Sequence, residues 1–486
     1  MIRRAPPAFK GGAAFLLALF AAGAASAADL PRSVTRALHA AGISPSSVGA
    51  VVQEVGAPRA TLAVNERMPM NPASTMKLVT TYAALENLGP AYRWTTEAYV
   101  DGDDLVLRGT GDPKLNYESF WMLLRNLRGR GLRDIRGDIV LDRSYFAPTQ
   151  YGPFDNDVYR PYNVAPDALL VNFKSLRFTF IPEDENRVRI YTEPVLPGLA
   201  IVNTLKVGDG TCPDGRAFRD LLQASFEPRP PRASFTGAYP ASCGERDMNV
   251  ALYEPEDYLA SLIRELWTEL GGTWQGKLRD GTASPGARLV YTHESEPLAL
   301  AVRDINKFSN NVMERQLFLT LGAELEGPPA QSDKAAKAIR GWLESKRLAM
   351  PELVLENGSG LSRIERITPA HMNALLQSAW RSPVMPEFVA SLPVVAYDGT
   401  MKKRLKDQQI AGHAHIKTGL LSDARAMAGY VLDRHGRRHT VVMIVNDPRA
   451  PEADAAMDAL LDWVYDGPTA PARAITNRPA ASSRRP

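Results

Sequence analysis

The pattern of apolar and polar positions predicts that the chain begins and ends with similar elements. Apolar spacing predicts a helix over 31–41, and two short β-like runs follow between residues 48 and 64. A run of helix-forming residues predicts a longer helix over 75–88. Near the other end, three β-like segments over 411–416, 427–432 and 440–445 precede a helix over 452–465. These elements predict one antiparallel sheet built from both ends of the chain, with helices packed against it.

The middle of the chain has a different pattern. Over 96–252, short apolar runs alternate with turns, which is typical of β-rich modules, and helical spacing returns afterwards. We therefore predict a discontinuous domain over 28–95 and 253–466, interrupted by an inserted β-rich section over 96–252. The tail over 467–486 is rich in Pro, Ala, Ser and Arg, and this composition predicts disorder.

The first residues have the pattern of a secretory signal peptide. Arg3, Arg4 and Lys10 precede a short apolar stretch, and small residues end at Ala25-Ser-Ala27. An uncleaved membrane anchor is the alternative, but the short apolar stretch and the small-residue site favour cleavage after Ala27. No later stretch is apolar and long enough to cross a bilayer. The sequence therefore predicts an exported, periplasmic protein without an integral membrane segment in the mature chain.

Charge and cysteine content narrow the possible classes. The chain has 57 basic and 54 acidic residues, and three of the basic residues lie in the predicted leader, so the mature chain is balanced. This balance gives no indication of a nucleic-acid partner. The chain has two cysteines, Cys212 and Cys243. In a cytosolic protein they would be free thiols, whereas in an oxidising, exported setting we expect them to form a disulfide.

The first indication of chemistry is the pair Ser74 and Lys77, one helical turn apart at the start of the predicted helix over 75–88. A serine hydroxyl becomes a good nucleophile only when an adjacent base takes its proton. A desolvated lysine with a lowered pKa can be that base. Ser-x-x-Lys also recurs by chance, so the pair alone is more often a capping serine near a surface lysine.

Two further motifs, Ser309-Asn-Asn311 and Lys417-Thr-Gly419, change this assessment. Together with Ser74-Thr-Met-Lys77 they stand in the order found in penicillin-binding proteins and class A β-lactamases. Each motif also stands in a suitable context, because the first begins a helix, the second lies between helices and the third ends a predicted strand. The combination therefore predicts an acyl-transfer active site.

Acyl transfer to a serine needs a base, a proton relay to the leaving amine and an oxyanion hole. Lys77 is the candidate base, kept neutral by burial and by the nearby cation of Lys417. Ser309 could pass a proton to the leaving nitrogen, and the Asn311 amide could hold Lys77 and the substrate. The other motif residues would bind substrate, since Lys417 and Thr418 suit a carboxylate and Gly419 lets a ligand strand approach the sheet edge.

Three additional segments make the similarity more specific: Gly109-Thr-Gly-Asp-Pro113, Gly358-Ser-Gly-Leu-Ser362 and Asp398-Gly-Thr-Met401. Over nearly all of the mature chain, the sequence resembles the D-alanyl-D-alanine carboxypeptidase/endopeptidase family of class C penicillin-binding proteins, peptidase family S13. The resemblance implies an α+β fold of the penicillin-binding-protein/β-lactamase type. Such a fold has a five-stranded antiparallel sheet flanked by helices, here with a large β-rich insertion.

The resemblance also implies roles for the motif residues. Ser74 would be the acyl-ester nucleophile and Lys77 its proton acceptor. The oxyanion hole would use the backbone N–H groups of Ser74 and Leu420. Peptidoglycan stem peptides would be the substrates and β-lactams covalent inhibitors, with no cofactor or metal. The remaining residues carry over as a proton network and a site for the terminal D-alanine carboxylate: Ser309 and Asn311, and Lys417 with Thr418 and Gly419.

Two positions depart from the pattern of this family. Asn357 stands where aspartate is frequent, and Leu420 stands where a small hydroxyl residue is common. Neither change removes a catalytic group, but Leu420 could alter the shape of the pocket.

Ser359 is a second serine that could be considered as a nucleophile. It is predicted to lie in a tight loop near the site, because no acid and histidine complete a triad with it.

Three functions remain as alternatives at this level. The favoured one is a serine DD-peptidase that cleaves the D-Ala-D-Ala bond and, as a sister activity, D-alanyl crosslinks. A β-lactamase would share the acylation step, but the sequence contains no Glu-x-x-Leu-Asn element of the class A type. A non-catalytic wall-binding scaffold would not need the intact motif residues. The balance between carboxypeptidase and endopeptidase activity is left open by the sequence.

Overall fold

The structure is a computed structural model that describes residues 29–148, 152–183, 186–213 and 215–468. The predicted signal peptide therefore lies outside the described residues, and so does the predicted disordered tail from residue 469 onward. Within the described ranges, no helix has both the length and the apolar character needed to cross a membrane.

The helices of the described residues occur mainly in the first and last parts of the chain. They are α1 (Arg32–Ala40), α2 (Lys77–Asn87), α3 (Tyr117–Gly129), α4 (Gly215–Leu221), α5 (Pro255–Glu269), α6 (Leu298–Phe308), α7 (Asn311–Glu326), α8 (Ser332–Ser345), α9 (Pro369–Trp380), α10 (Met385–Ser391) and α11 (Asp454–Tyr465).

The strands are concentrated in the middle of the chain, with five more near its ends. They are β1 (Val48–Glu54), β2 (Leu62–Val64), β3 (Thr95–Asp101), β4 (Asp104–Gly109), β5 (Asp134–Ile135), β6 (Ile139–Asp142), β7 (Leu176–Glu183), β8 (Arg187–Glu193), β9 (Ala200–Asn203), β10 (Lys206–Gly208), β11 (Ser225–Pro228), β12 (Pro231–Phe235), β13 (Ala238–Pro240), β14 (Arg246–Val250), β15 (Thr273–Trp274), β16 (Leu278–Asp280), β17 (Arg288–Glu294), β18 (Ala414–Leu420), β19 (Ala424–Leu432) and β20 (Arg438–Asn446).

The two ends of the chain form the predicted five-stranded antiparallel sheet, with strand order β18-β19-β20-β1-β2. Successive residues of a strand point to opposite faces, so each face contacts a different helix layer. Met443 and Val445 pack with α1 and α11. Val442 and Ile444 pack instead with α2 and with helices α6 to α10. The predicted fold class is confirmed.

One strand of this sheet is displaced from its predicted position. The apolar pattern predicted a strand ending at Ile416, whereas β18 runs from Ala414 to Leu420. The Lys-Thr-Gly motif therefore lies within the strand and does not follow it. The motif has a weak strand propensity, because two of its residues are polar and one is glycine. Lys417 nevertheless pairs with Ala428 on β19, and Gly419 pairs with Ala426. Pairing with a buried neighbour outweighs their weak strand propensity.

The middle section forms a second five-stranded sheet in the order β16-β6-β4-β3-β17. Its outer strands, β16 and β17, come from residues 278–294, beyond the predicted end of the insertion at residue 252. Helices α3 and α5 pack against this sheet in one shared core. The predicted boundary therefore falls inside a packed unit, because β17 must return to pair with β3 before the chain rejoins the first domain. The pattern of short apolar runs also did not indicate α3.

Smaller sheets complete the inserted section, in the orders β14-β7-β8 and β11-β12-β9, together with a β10-β13 pair. Phe178, Phe180 and Phe235 lie in contact between the first two of these sheets. The structure has the predicted disulfide between Cys212 and Cys243, which are 31 residues apart. The bond joins the segment before α4 to the segment before β14.

We predict that replacing both cysteines, Cys212→Ser with Cys243→Ser, destabilises the inserted section. A crosslink across 31 residues restricts the unfolded chain, and removing it should lower the free energy of unfolding by roughly 3–4 kcal/mol. Urea unfolding followed by limited proteolysis would measure the loss. Adding a reductant to the unmodified protein is the matched control and should give the same shift. An unfolding midpoint that is unchanged in both cases would contradict the prediction.

Candidate active site

Ser74 lies on a tightly held turn in front of α2. Residues Ala73–Met76 form a short 3₁₀ turn, and Ala73 has a φ of 45°, in the left-handed region that non-glycine residues rarely adopt. The segment is held by Asn446 at the end of β20, which accepts a hydrogen bond from the Asn71 N–H at 2.8 Å and donates one to the Asn71 carbonyl at 2.9 Å. The serine is thereby fixed to the central sheet.

Lys77 joins three segments of the chain through one nitrogen. Its side chain is fully buried, and Nζ donates to Ser74 Oγ at 3.0 Å and to Asn311 Oδ1 at 2.6 Å. A third hydrogen bond goes to the carbonyl of Ser359. The structure therefore brings together the predicted nucleophile, the predicted base and one residue of the second motif.

Lys417 on β18 is a second buried lysine with hydrogen-bond partners from another segment of the site. It is fully buried, and its Nζ donates to Ser309 Oγ at 2.9 Å and to the Thr418 carbonyl at 2.6 Å. Ser309 ends α6 in a left-handed conformation with φ of 56°. The Thr418 hydroxyl contacts the hydroxyl of Thr400 at 2.7 Å. The Asp398-Gly-Thr-Met401 segment, identified in the sequence without a role, thus holds a side chain of the third motif.

Two glycines allow backbone segments to approach Ser74 closely. A Cβ on Gly419 would lie 2.8 Å from the Ser74 nitrogen, so only glycine lets the edge of β18 come this near. A Cβ on Gly360 would lie 1.9 Å from the Ala73 carbonyl oxygen, and its φ is 77°. The side chain of Leu420 is 53% exposed, so it lies at the rim of the site.

Burial controls the charge of the two lysines. Desolvation lowers the pKa of Lys77 to about 7, against the opposing influence of Glu314 and Glu365. Desolvation also lowers the pKa of Lys417, and the neighbouring charge of Lys77 lowers it further. The neutral amine that a general base requires is therefore accessible to Lys77 near neutral pH.

Glu365, which no sequence motif indicated, organises the loop beside Lys77. This carboxylate is fully buried, and Oε1 accepts hydrogen bonds from the backbone N–H groups of residues 356, 357 and 358, at 3.1, 3.0 and 2.9 Å. Oε2 accepts one from the Gly360 N–H at 2.9 Å. Burial raises the pKa of Glu365, and these backbone hydrogen bonds oppose the increase. Glu365 stands in a polar stretch, so no local pattern distinguished it.

The same loop explains the positions of Ser359 and Asn357. The Ser359 hydroxyl donates to Asn357 Oδ1 at 2.6 Å, and its backbone N–H donates to the same oxygen at 3.0 Å. Asn357 Nδ2 donates to the Leu361 carbonyl at 3.1 Å. The side chain of Asn357 therefore bonds to residues 359 and 361 and stabilises the turn. The Ser359 hydroxyl is hydrogen-bonded within this turn, whereas the Ser359 carbonyl accepts a hydrogen bond from Lys77.

Glu314 is a second residue that the sequence analysis did not identify. It lies on α7 one turn after Asn311, and its side chain is fully buried. Burial raises the pKa of Glu314 to about 8, and the charge of Lys77, the hydroxyl of Thr80 and the charge of Lys417 oppose this shift. A buried carboxyl group thus shares its surroundings with both lysines of the site.

Comparison with known proteins identifies the family of this chain. A protein-family model described as the D-Ala-D-Ala carboxypeptidase 3 (S13) family matches residues 30–464. The chain belongs to this family. It is therefore a serine-type D-Ala-D-Ala carboxypeptidase, and the resemblance stated from the motifs is confirmed.

Relatives and solved structures agree with this family. D-alanyl-D-alanine carboxypeptidase DacB of Haemophilus influenzae is 23% identical over 416 residues, covering 82% of this chain and 85% of the relative. The crystal structure of penicillin binding protein 4 (dacB) from Haemophilus influenzae covers 89% of this chain and 99% of that chain, with a TM-score of 0.71 and 21% identity. A predatory endopeptidase from Bdellovibrio bacteriovorus covers 87% and 94%, with a TM-score of 0.52 and 14% identity. At these identities the solved structures support the fold.

We predict that Glu314→Gln changes the pH dependence of the S13 enzyme. Because the pKa of Glu314 is about 8 and that of Lys77 about 7, the carboxyl group is ionised in only part of the molecules where Lys77 titrates, and its charge raises the pKa of Lys77 in those. A neutral amide removes this influence and should move the acidic limb of acylation by about half a pH unit to lower pH. The rate of covalent reaction with a fluorescent penicillin across pH 5–9 would measure this limb. Glu324→Gln, at the exposed end of the same helix, is the matched control. A limb that stays in place or moves to higher pH would contradict the role of Glu314.

We also predict that Glu365→Gln destabilises the loop that contacts Lys77. The amide keeps one acceptor oxygen but directs an N–H₂ group at backbone N–H donors, which leaves at least one buried donor without a partner. The free energy of unfolding should fall by about 1–3 kcal/mol, and acylation should slow because the Ser359 carbonyl is no longer fixed. Thermal unfolding and penicillin acylation measure the two effects. Unaltered stability would show that the loop does not depend on this carboxylate.

Proposed function

We propose that the chain hydrolyses the D-Ala-D-Ala bond of peptidoglycan stem peptides through an acyl-enzyme on Ser74, and that it also cleaves D-alanyl crosslinks. The observation that carries the assignment of Ser74 is its 3.0 Å contact with the amine of Lys77, a buried lysine whose pKa is lowered to about 7. A nucleophile in contact with a neutral base is the arrangement that covalent catalysis requires.

Acylation begins when the neutral amine of Lys77 takes the proton of Ser74 Oγ. The oxygen attacks the carbonyl carbon of the penultimate D-alanine, and the resulting oxyanion accepts hydrogen bonds from the N–H groups of Ser74 and Leu420. Gly419 supports this assignment, because its lack of a side chain lets the end of β18 lie against Ser74. The fixed N–H groups need no rearrangement as charge develops on the oxygen.

Release of the terminal D-alanine needs a proton on its nitrogen. Ser309 is the proposed relay, since its hydroxyl accepts a hydrogen bond from the buried amine of Lys417 at 2.9 Å. Lys417 and Thr418 bind the carboxylate of the terminal residue, and the approach of that anion favours the charged form of Lys417. The C–N bond then breaks, and water hydrolyses the ester to restore Ser74.

β-Lactams are the proposed covalent inhibitors of this site. Their amide carbonyl would react with Ser74 in the same way as the substrate, and the ring keeps the leaving nitrogen attached. One crystal structure of the Haemophilus influenzae protein is a complex with a novel β-lactam. That protein shares the fold of this chain, which supports the proposal for an enzyme of the same family.

We further propose that the protein is exported and acts in the periplasm after cleavage behind Ala27. The basic, apolar and small-residue regions of the first 27 residues support this location. The disulfide between Cys212 and Cys243 also supports it, because such bonds persist in oxidising compartments. The substrate, peptidoglycan, lies on the same side of the inner membrane.

Replacing Ser74 by alanine tests the proposed function directly. Ser74→Ala should abolish covalent labelling by a fluorescent penicillin and release of D-alanine from a pentapeptide. Thermal unfolding should change little, because one half-buried hydroxyl is removed and Lys77 keeps its contacts with Asn311 and the Ser359 carbonyl. Ser345→Ala, on the exposed face of α8, is the control and should keep both activities. Labelling that survives Ser74→Ala would overturn the assignment of the nucleophile. Rapid turnover of penicillin by the unmodified enzyme would favour a β-lactamase instead, and absence of any labelling a wall-binding scaffold.

A further inference from the structure

A cavity of about 650 Å³ adjoins the active site where the inserted section meets the first domain. One of its walls is the segment from Phe308 to Val312, which contains the second motif, and the opposite wall comes from the inserted section. The proposed roles of Ser309 and Asn311 in catalysis do not involve the rest of this cavity.

The cavity is lined by residues of the second motif. Ser309 and Asn311 line it, and the same two side chains contact Lys417 and Lys77 at 2.9 and 2.6 Å. Under the proposed mechanism, Ser309 delivers the proton to the leaving nitrogen. Whatever is attached to that nitrogen must therefore pass Ser309, and this cavity is the adjoining space.

The cavity is larger than a single alanine requires, and its lining includes charged and aromatic side chains. Cavities of a few hundred cubic ångströms and more hold ligands much larger than one amino acid. On the inserted section, Arg177 and Glu193 face the cavity as an ion pair with N···O distance 3.1 Å, and both side chains are about half exposed, at 52% and 56%. Phe308, which is 64% exposed, adds an apolar surface beside Ser309. Charges of both signs next to an aromatic ring suit a peptide that bears carboxylates and an amine.

The wall of the cavity contains an unusual turn of backbone. Asn172, Phe173 and Lys174 have φ values of 48°, 53° and 51°, three consecutive non-glycine residues in the left-handed region. A non-glycine residue adopts this conformation only at an energetic cost, because its Cβ lies too close to the following carbonyl oxygen. The turn is held by a hydrogen bond from the Asn172 N–H to the Leu115 carbonyl at 2.8 Å, and it packs Phe173 against Val312 of α7. Strained conformations of this kind persist where the surrounding structure requires them, often at binding sites.

We propose that this cavity binds the leaving peptide of a crosslinked substrate. The inference rests on the proposed DD-peptidase mechanism at Ser74. In this reaction the ester bond to Ser74 Oγ forms, the amide C–N bond of the crosslink breaks, and the leaving nitrogen takes a proton through Ser309. The product that departs is a whole stem peptide with a free amine and free carboxylates. Arg177 and Glu193 contact its charged groups, and Phe308 contacts its aliphatic chain.

Charge reversal at Arg177 tests the proposal. Arg177→Glu should lower kcat/KM for a crosslinked muropeptide dimer about tenfold, equivalent to about 1.4 kcal/mol, because it places a carboxylate against the carboxylates of the leaving peptide. Release of D-alanine from a monomeric pentapeptide should stay within about twofold, as should penicillin labelling. Arg189→Glu is the matched control, since Arg189 pairs with Glu183 across the same β7–β8 hairpin but does not line the cavity. It should leave both activities unchanged.

A second variant tests the space itself. Asn249 lines the cavity on β14, opposite Arg177 in the strand register, and its side chain is exposed, so Asn249→Trp should fill the cavity without disturbing the core. The same selective loss of dimer cleavage is expected. Equal losses on dimer and monomer, or no loss on the dimer with either variant, would overturn the proposal.

The outcomes also separate this inference from the proposed function. If the unmodified enzyme is labelled by penicillin and cleaves the monomer but never the dimer, the leaving-peptide site is wrong while the DD-peptidase assignment stands. If the enzyme is neither labelled nor active on the monomer, the proposed function itself fails and the inference fails with it.

Discussion

The active site depends on one buried amine. Lys77 contributes its nitrogen to contacts with Ser74, Asn311 and the Ser359 carbonyl, so three distant segments meet at one atom. Burying a charged ammonium is costly, and the pKa of Lys77 is lowered accordingly. The same desolvation that makes the position expensive would supply the neutral base of the proposed mechanism. Stability and chemistry are therefore coupled here, since any change that admits water would restore the charge and weaken the base.

Close approach of backbone segments is the second constraint. Gly360 and Gly419 both lie against the Ser74 turn, and a side chain at either position would collide with it. The buried carboxylate of Glu365 holds the first of these segments by four backbone hydrogen bonds, and strand pairing with β19 holds the second. Rigid support on both sides explains how a strained residue such as Ala73 keeps its conformation next to the nucleophile.

Ion pairs join the inserted section to the segment that leads into the second motif. Lys114 directly follows the Gly109-Thr-Gly-Asp-Pro113 segment. It forms an ion pair with Glu296, just before α6, at 2.5 Å, and another with Asp304, within α6, at 2.7 Å. Helix α6 leads to Ser309. Burial raises the pKa of the adjacent Asp112 to about 6. This contact and the left-handed turn at Phe173 place the inserted section directly beside the second motif. The insertion is thus in a position to shape the substrate site.

The sequence by itself determined the central sheet, most of its helices and the three motifs. These features depend on local periodicity and on residue types whose chemistry is recognisable at short spacing, as with Ser74 and Lys77. Only the tertiary structure decided the extent of β18, the return of β17 to the inserted section, and the roles of Glu314, Glu365 and Thr400. Their signals are non-local, because a buried carboxylate is recognised only from what surrounds it and a strand of polar residues only from its partner. The sequence therefore indicated the candidate reacting groups, and burial and long-range pairing decided how they are held and charged.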